Sequence, residues 1–69
     1  MKTLNLTFKG LDDWDYPVYE CKGKLYVDID PNHSTPNLHT KSSNEFDGEA
    51  EYPIGKDVEV VFTSPRVVW

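Results

Sequence analysis

Pro17-Val-Tyr-Glu-Cys-Lys-Gly-Lys-Leu-Tyr-Val-Asp-Ile29 is two β-prone runs around Lys22-Gly23, and glycine supplies the positive φ that a tight two-residue loop demands. The spacing predicts a hairpin in which Cys21 faces Lys24, Tyr19 faces Tyr26 and Val18 faces Val27. Alternation along each strand then gives an apolar set (Val18, Leu25, Val27, Ile29) and a mixed set (Tyr19, Cys21, Tyr26, Asp28). Glu20 falls on the apolar side, which asks for a place at the sheet rim or a bulge that shifts the register.

Upstream of the hairpin, Thr3 to Lys9 places Leu4, Leu6 and Phe8 on one face and Asn5, Thr7 and Lys9 on the other, the pattern of a half-buried strand. Gly10 is expected to end it. Leu11-Asp-Asp-Trp-Asp15 reads as a polar loop whose carboxylates favour turns, with Trp14 either folded onto the core edge or left as an anchor for a partner. Downstream, Asp30 to Lys41 contains Pro31, Asn32, Ser34, Pro36 and Asn37 with Leu38 as its one sizeable apolar residue, and reads as a long middle loop. Ser42-Ser-Asn-Glu45 has the spacing of a capping box but is too short and polar for more than a helical turn, with Phe46 pinning it to the core. Asp47-Gly48 is a second turn signal, and Tyr52-Pro-Ile-Gly55 leads into a last alternating run, Asp57 to Thr63, with Val58, Val60 and Phe62 on one face. Pro65 interrupts the ladder beyond that run, so Val67-Val68-Trp69 reads as a short edge strand or a tail. The expected fold is mainly β: one antiparallel sheet of four or five strands, curled or barrel-like, with a long middle loop and at most one short helical turn.

Sixty-nine residues offer too little apolar surface for two cores, so residues 1–69 are expected to form one domain, stabilised by ~3–5 kcal/mol in the absence of a staple. Association with a second copy is one way to add to that. The single cysteine, Cys21, excludes an intramolecular disulfide and points to a reducing compartment. The amino terminus alternates polar and apolar residues instead of forming a signal-peptide core. No run of about eighteen apolar residues is present to span a membrane as a helix, and a cytoplasmic protein is expected. Twelve acidic against seven basic side chains give a net charge of -5, which repels phosphate backbones and argues against direct nucleic-acid binding.

Chemistry-bearing patterns are sparse. Asp28, Asp30 and Asn32 stand at alternate positions as calcium-loop oxygens do, but His33 occupies the place that needs glycine and His39 the place that needs a bidentate glutamate. Side-chain caps from Asp30 and Asn32 to the backbone of the turn around Pro31 explain the pattern better, and no metal or other cofactor is expected. One cysteine and two separated histidines are a weak zinc signature. Cys21 at a strand end reads as a packed thiol, not a nucleophile, and carboxylate pairs among Asp12, Asp13 and Asp15 arise from abundance alone. A chain this short leaves little volume for an enclosing substrate pocket, so no enzyme activity is expected. Tyr16, Tyr19 and Tyr26 with Trp14, beside Asp12, Asp13 and Asp15, form the candidate partner-binding surface, the carboxylates favouring a protein over a base-stacking role.

Gly10 to Asp15 with Trp14, Pro17-Val-Tyr19, Gly23-Lys-Leu-Tyr26, Asp28-Ile-Asp-Pro31 and Asn44-Glu-Phe-Asp-Gly-Glu49 together resemble the large-polyvalent-protein-associated domains of phages and conjugative elements. The resemblance spans most of the chain and is carried by turn and strand residues, so it implies a mobile-element context and no particular chemistry. This chain departs from it at Ala50-Glu51-Tyr52, where proline is expected straight after the glutamate. Three functions stand as expectations. The first is a non-catalytic module that binds an unidentified protein partner; the second is an acidic DNA mimic that inhibits a nucleic-acid enzyme; the third is a small metal- or ligand-binding domain using Asp28, Asp30, Asn32, His33 and His39.

Overall fold

The computed structural model describes residues 2–33, 35–55 and 57–63. Among these residues six strands lie in one sheet: β1 (Lys2–Leu11), β2 (Pro17–Cys21), β3 (Lys24–Asp28), β4 (Leu38–Lys41), β5 (Ala50–Pro53) and β6 (Val58–Phe62), with a 3-10 turn at Ser42–Asn44. The order is β5-β4-β3-β2-β1-β6. Neighbours are antiparallel except β1 and β6, which run parallel from Lys2↔Val58 to Leu6↔Phe62. The mainly β class is as expected, but the sheet is mixed and six-stranded where the sequence pattern predicts an antiparallel one of four or five.

The hairpin of β2 and β3 forms in the expected register, with Val18↔Val27, Tyr19↔Tyr26, Glu20↔Leu25 and Cys21↔Lys24. Lys22 and Gly23 both take positive φ, 52° and 82°, the geometry of a turn that matches strand twist. Asn44 clasps it: its Oδ1 accepts from the Leu25 amide at 2.7 Å and its Nδ2 donates to the Gly23 carbonyl at 2.9 Å. Glu20 needs no bulge in this hairpin. It sits half-buried and reaches Lys9, 3.8 Å away on β1. The irregularity falls instead between Phe8 and Gly10 on β1, and so Gly10 does not end the strand. At φ 147° it leaves room for Phe46, whose ring edge lies 3.3 Å from where a Cβ would stand, and this contact pins the segment after the 3-10 turn to β1.

The path from β5 to β6 requires a strongly coiled sheet. Pro53 is level with Gly10, through His39, Val27 and Val18, whereas Val58 is level with Lys2. In a flat sheet the two strands would lie roughly 24 Å apart, five spacings of about 4.8 Å, and at opposite ends of β1. The chain between them reaches at most about 17 Å. Coiling closes that gap and brings Ile54, Val58 and Val60 against Leu38 and the core. The sheet nonetheless stays open, with β5 and β6 unpaired to each other among the described residues.

Inside the coil lie Leu4, Leu6, Tyr19, Cys21, Tyr26 and Leu38, with Phe8, Ile54, Val58, Val60 and Phe62 packed against them. Tyr19 is the centre, edge-on to Phe8 (5.8 Å between centroids) and to Phe62 (5.0 Å), an arrangement that favours ring quadrupoles. The mixed set of the hairpin is therefore the inner one, because Leu4, Leu6 and Phe8 meet it from β1. Val18 and Val27, on the opposite face, are fully buried too. Alternation along β4 puts Lys41 on that second face, and its contact with Asp12 brings the 12–16 loop over it.

One further expectation is corrected, and one strand is added to those expected. The middle loop ends at Asn37, whose carbonyl accepts from the Ile29 amide at 3.1 Å, so Leu38 to Lys41 is a strand and not loop. Ala50 to Pro53 also pairs as an edge strand with every residue exposed, a position in which no apolar alternation is needed. Pro65, Val67, Val68 and Trp69, and Ser34 of the middle loop, lie outside the described residues.

Candidate partner-binding site

Asp12 organises the loop after β1. Its Oδ1 accepts from the amides of Trp14 and Tyr16, each at 3.0 Å, and its backbone closes the turn through Asp12 N–H to Tyr16 O (3.0 Å) and Asp15 N–H to Asp12 O (2.9 Å). Asp15 adopts φ 63° to complete it, a conformation that aspartate tolerates better than most residues. Oδ2 of Asp12 faces the Lys41 ammonium at 2.7 Å, and both side chains are shut off from water. Lys41 in turn lies 5.5 Å from the centroid of the Trp14 ring, within cation–π range. The loop is thus fixed from beneath by a buried ion pair, while Trp14 keeps 48% of its surface exposed.

Asp12, Trp14, Tyr16, Glu49 and Ala50 line a cleft of about 210 Å³ beside this ring. The residues singled out from the sequence divide here. Trp14 and half-buried Tyr16 share the cleft, Asp12 forms its base, and Asp13 and Asp15 stand exposed in the same loop. Tyr19 and Tyr26 are not part of it. Both are buried in the coil's interior, where burial, and after it the neighbouring Cys21, raise the Tyr26 hydroxyl above its ordinary pKa. An aromatic surface uniting all four rings is ruled out by strand alternation, which sends Tyr19 and Tyr26 to the face that β1 covers. Sequence reasoning misses Lys41, Glu49 and Ala50, since Lys41 lies 29 residues from Asp12 and nothing local marks it as a partner.

The metal candidates serve the loop between β3 and β4. Asp28 is fully buried, and its Oδ1 accepts from the amides of Asp30 and Asn37, each at 3.0 Å. Asp30 Oδ2 accepts from Asn37 Nδ2 at 3.0 Å, and Asp30 O from the His33 amide at 3.0 Å. Asp28 thus supplies side-chain caps to backbone amides in this loop, a role expected of Asp30 and Asn32 around Pro31; Asn32 and His33 are exposed and His39 is half-buried on β4. Among the described residues no three His, Cys, Asp or Glu side chains group as metal ligands, and no helix is long and apolar enough to cross a membrane. Cys21 is a free, buried thiol.

No family model matches the chain, and no curated protein or solved structure is significantly similar to it.

Proposed function

We propose that this chain is a non-catalytic accessory protein of a mobile element, acting in the cytoplasm, that binds a protein partner through the Trp14 cleft. The observation that carries this reading is the half-exposed Trp14 on a loop held rigid by the buried Asp12–Lys41 pair. A large aromatic displayed in a fixed position supplies contact area with little entropy left to lose, as the anchors of protein interfaces do. At about 210 Å³ the cleft is smaller than the ~300–1,000 Å³ of small-molecule sites, a size suited to one anchoring side chain of a partner. The mobile-element context rests on the resemblance of the Gly10–Asp15 and Asn44–Glu49 runs, and the cytoplasmic setting on the free Cys21 thiol.

A photo-crosslinking residue placed at exposed Asp13, beside the cleft, tests the reading in lysate of the cells that encode the chain. A discrete adduct is expected from position 13, competed away by unlabelled protein and absent when the crosslinker stands at exposed Asn5 on β1. Identical adducts from both positions, or none from either, would refute it.

A further inference from the structure

We propose that the Trp14 cleft receives the guanidinium of an arginine carried on a basic segment of the partner, an assignment that rests on the partner-binding reading above. The two segments that meet at the cleft, residues 12–16 and 49–50, carry four carboxylates and no lysine or arginine. Asp12 is neutralised by Lys41 at 2.7 Å. The others, Asp13, Asp15 and Glu49, are exposed, so the unbalanced charge of these segments beside the aromatic ring is negative. A positive occupant is the complement, and the same charge turns phosphate backbones away.

The ring chemistry narrows the cation. Indole is the best of the aromatic faces for a cation, and a planar guanidinium stacks on it with less dehydration than an ammonium requires. Glu49 on the cleft wall offers a carboxylate that a guanidinium can grip through two parallel hydrogen bonds. Lys41 already lies 5.5 Å from the Trp14 ring centroid, but the Asp12 carboxylate 2.7 Å from its ammonium offsets that charge and weakens its repulsion of a second cation. The cleft's volume of about 210 Å³ limits the occupant to a side chain instead of a folded surface.

The test uses the isotope-labelled full chain and two small probes, N-acetyl-arginine methylamide and its neutral isostere N-acetyl-citrulline methylamide, each titrated into the millimolar range and followed by amide and indole NMR shifts. Arginine is expected to give saturable shifts at the Trp14 indole N–H and at the amides of Tyr16, Glu49 and Ala50. Citrulline should bind about tenfold more weakly, a difference near 1.4 kcal/mol, and Glu49→Gln should weaken the arginine response while leaving the spectrum dispersed. Equal responses to the two probes would overturn the assignment, as would arginine shifts at remote Asp57 and Glu59 as large as those at Glu49. A partner captured at Asp13 combined with equal probe responses leaves the partner-binding reading standing and removes arginine from it. Site-confined, arginine-selective shifts support the assignment whatever the crosslinking yields.

Discussion

Asp12, Asp13 and Asp15 are alike in the sequence and unlike in the structure. Only Asp12 is buried, and its carboxylate serves three donors: the amides of Trp14 and Tyr16 and the ammonium of Lys41. Truncation to alanine would strand a buried cation, a loss of roughly 3–5 kcal/mol, about the full stability expected of a domain this small. Asp12→Ala should therefore be largely unfolded at 25 °C by far-UV circular dichroism. Asp12→Asn keeps an oxygen for the two amides but also leaves the Lys41 ammonium unpaired, so its folded fraction by circular dichroism at 25 °C should lie between those of the wild type and the alanine variant; a fraction equal to that of the alanine variant would show that the loop bonds contribute nothing. The pattern of an aspartate-rich turn is legible in the sequence, but the special one of the three is not, because what singles it out is a lysine from a distant strand. Tyr26 gives a second residue-level expectation. Burial and Cys21 raise its pKa, so the folded state holds the proton after the unfolded chain has released it at about pH 10. Its contribution is whole below that pH and is lost as pH climbs through the raised value. Urea midpoints should fall on going from pH 9 to 11, and fall less in Tyr26→Phe; parallel declines in the two proteins would exclude Tyr26 as a source.

The hairpin is readable to the individual pair because all the information lies within one short stretch: two β-prone runs and a glycine where φ must be positive. Its clasp is not. Asn44 comes from the 3-10 turn, adopts φ 52° itself, and bonds both sides of the Lys22-Gly23 loop. Asn44→Gly retains the backbone freedom and loses two hydrogen bonds, together about 1–3 kcal/mol. Asn44→Ala loses the same bonds and adds the ~1–2 kcal/mol of a left-handed residue with a Cβ. The glycine variant should thus melt below the wild type and the alanine variant below both; an alanine variant as stable as the glycine one would argue that residue 44 is not left-handed in solution. Strands β4 and β5 escape the sequence reading for a related reason. Leu38-His-Thr-Lys41 turns an ion-paired lysine, not an apolar side chain, toward its second buried face, and Ala50–Pro53 lies exposed on an edge, so neither displays the alternation by which strands are recognised.

Across the molecule, alternation marks β1 and β6 as equals but cannot fix their relative direction. Whether two such strands run parallel depends on how many of the connections between them reverse the chain: β1 to β5 alternate in direction, so β5 runs with β1, and the link from β5 to β6 crosses the coil without a reversal. The resulting coil has two consequences for function. It closes Tyr19, Tyr26 and their neighbours into the interior, and it leaves the opposite face to be covered by a loop that ends in a half-exposed tryptophan. If Trp14 is displayed for a partner, its side chain should matter far more to binding than to folding. Trp14→Ala removes a cation–π contact of about 1–2 kcal/mol with Lys41 and should lower the urea midpoint modestly while leaving a cooperative transition. Against the partner identified by crosslinking at Asp13, the same variant should lose at least about 2 kcal/mol of affinity, about thirtyfold in Kd. Titration calorimetry of wild type and Trp14→Ala with that partner measures this difference; a thirtyfold or greater loss from a folded variant is expected, and unchanged affinity would show that Trp14 only shields the ion pair beneath it.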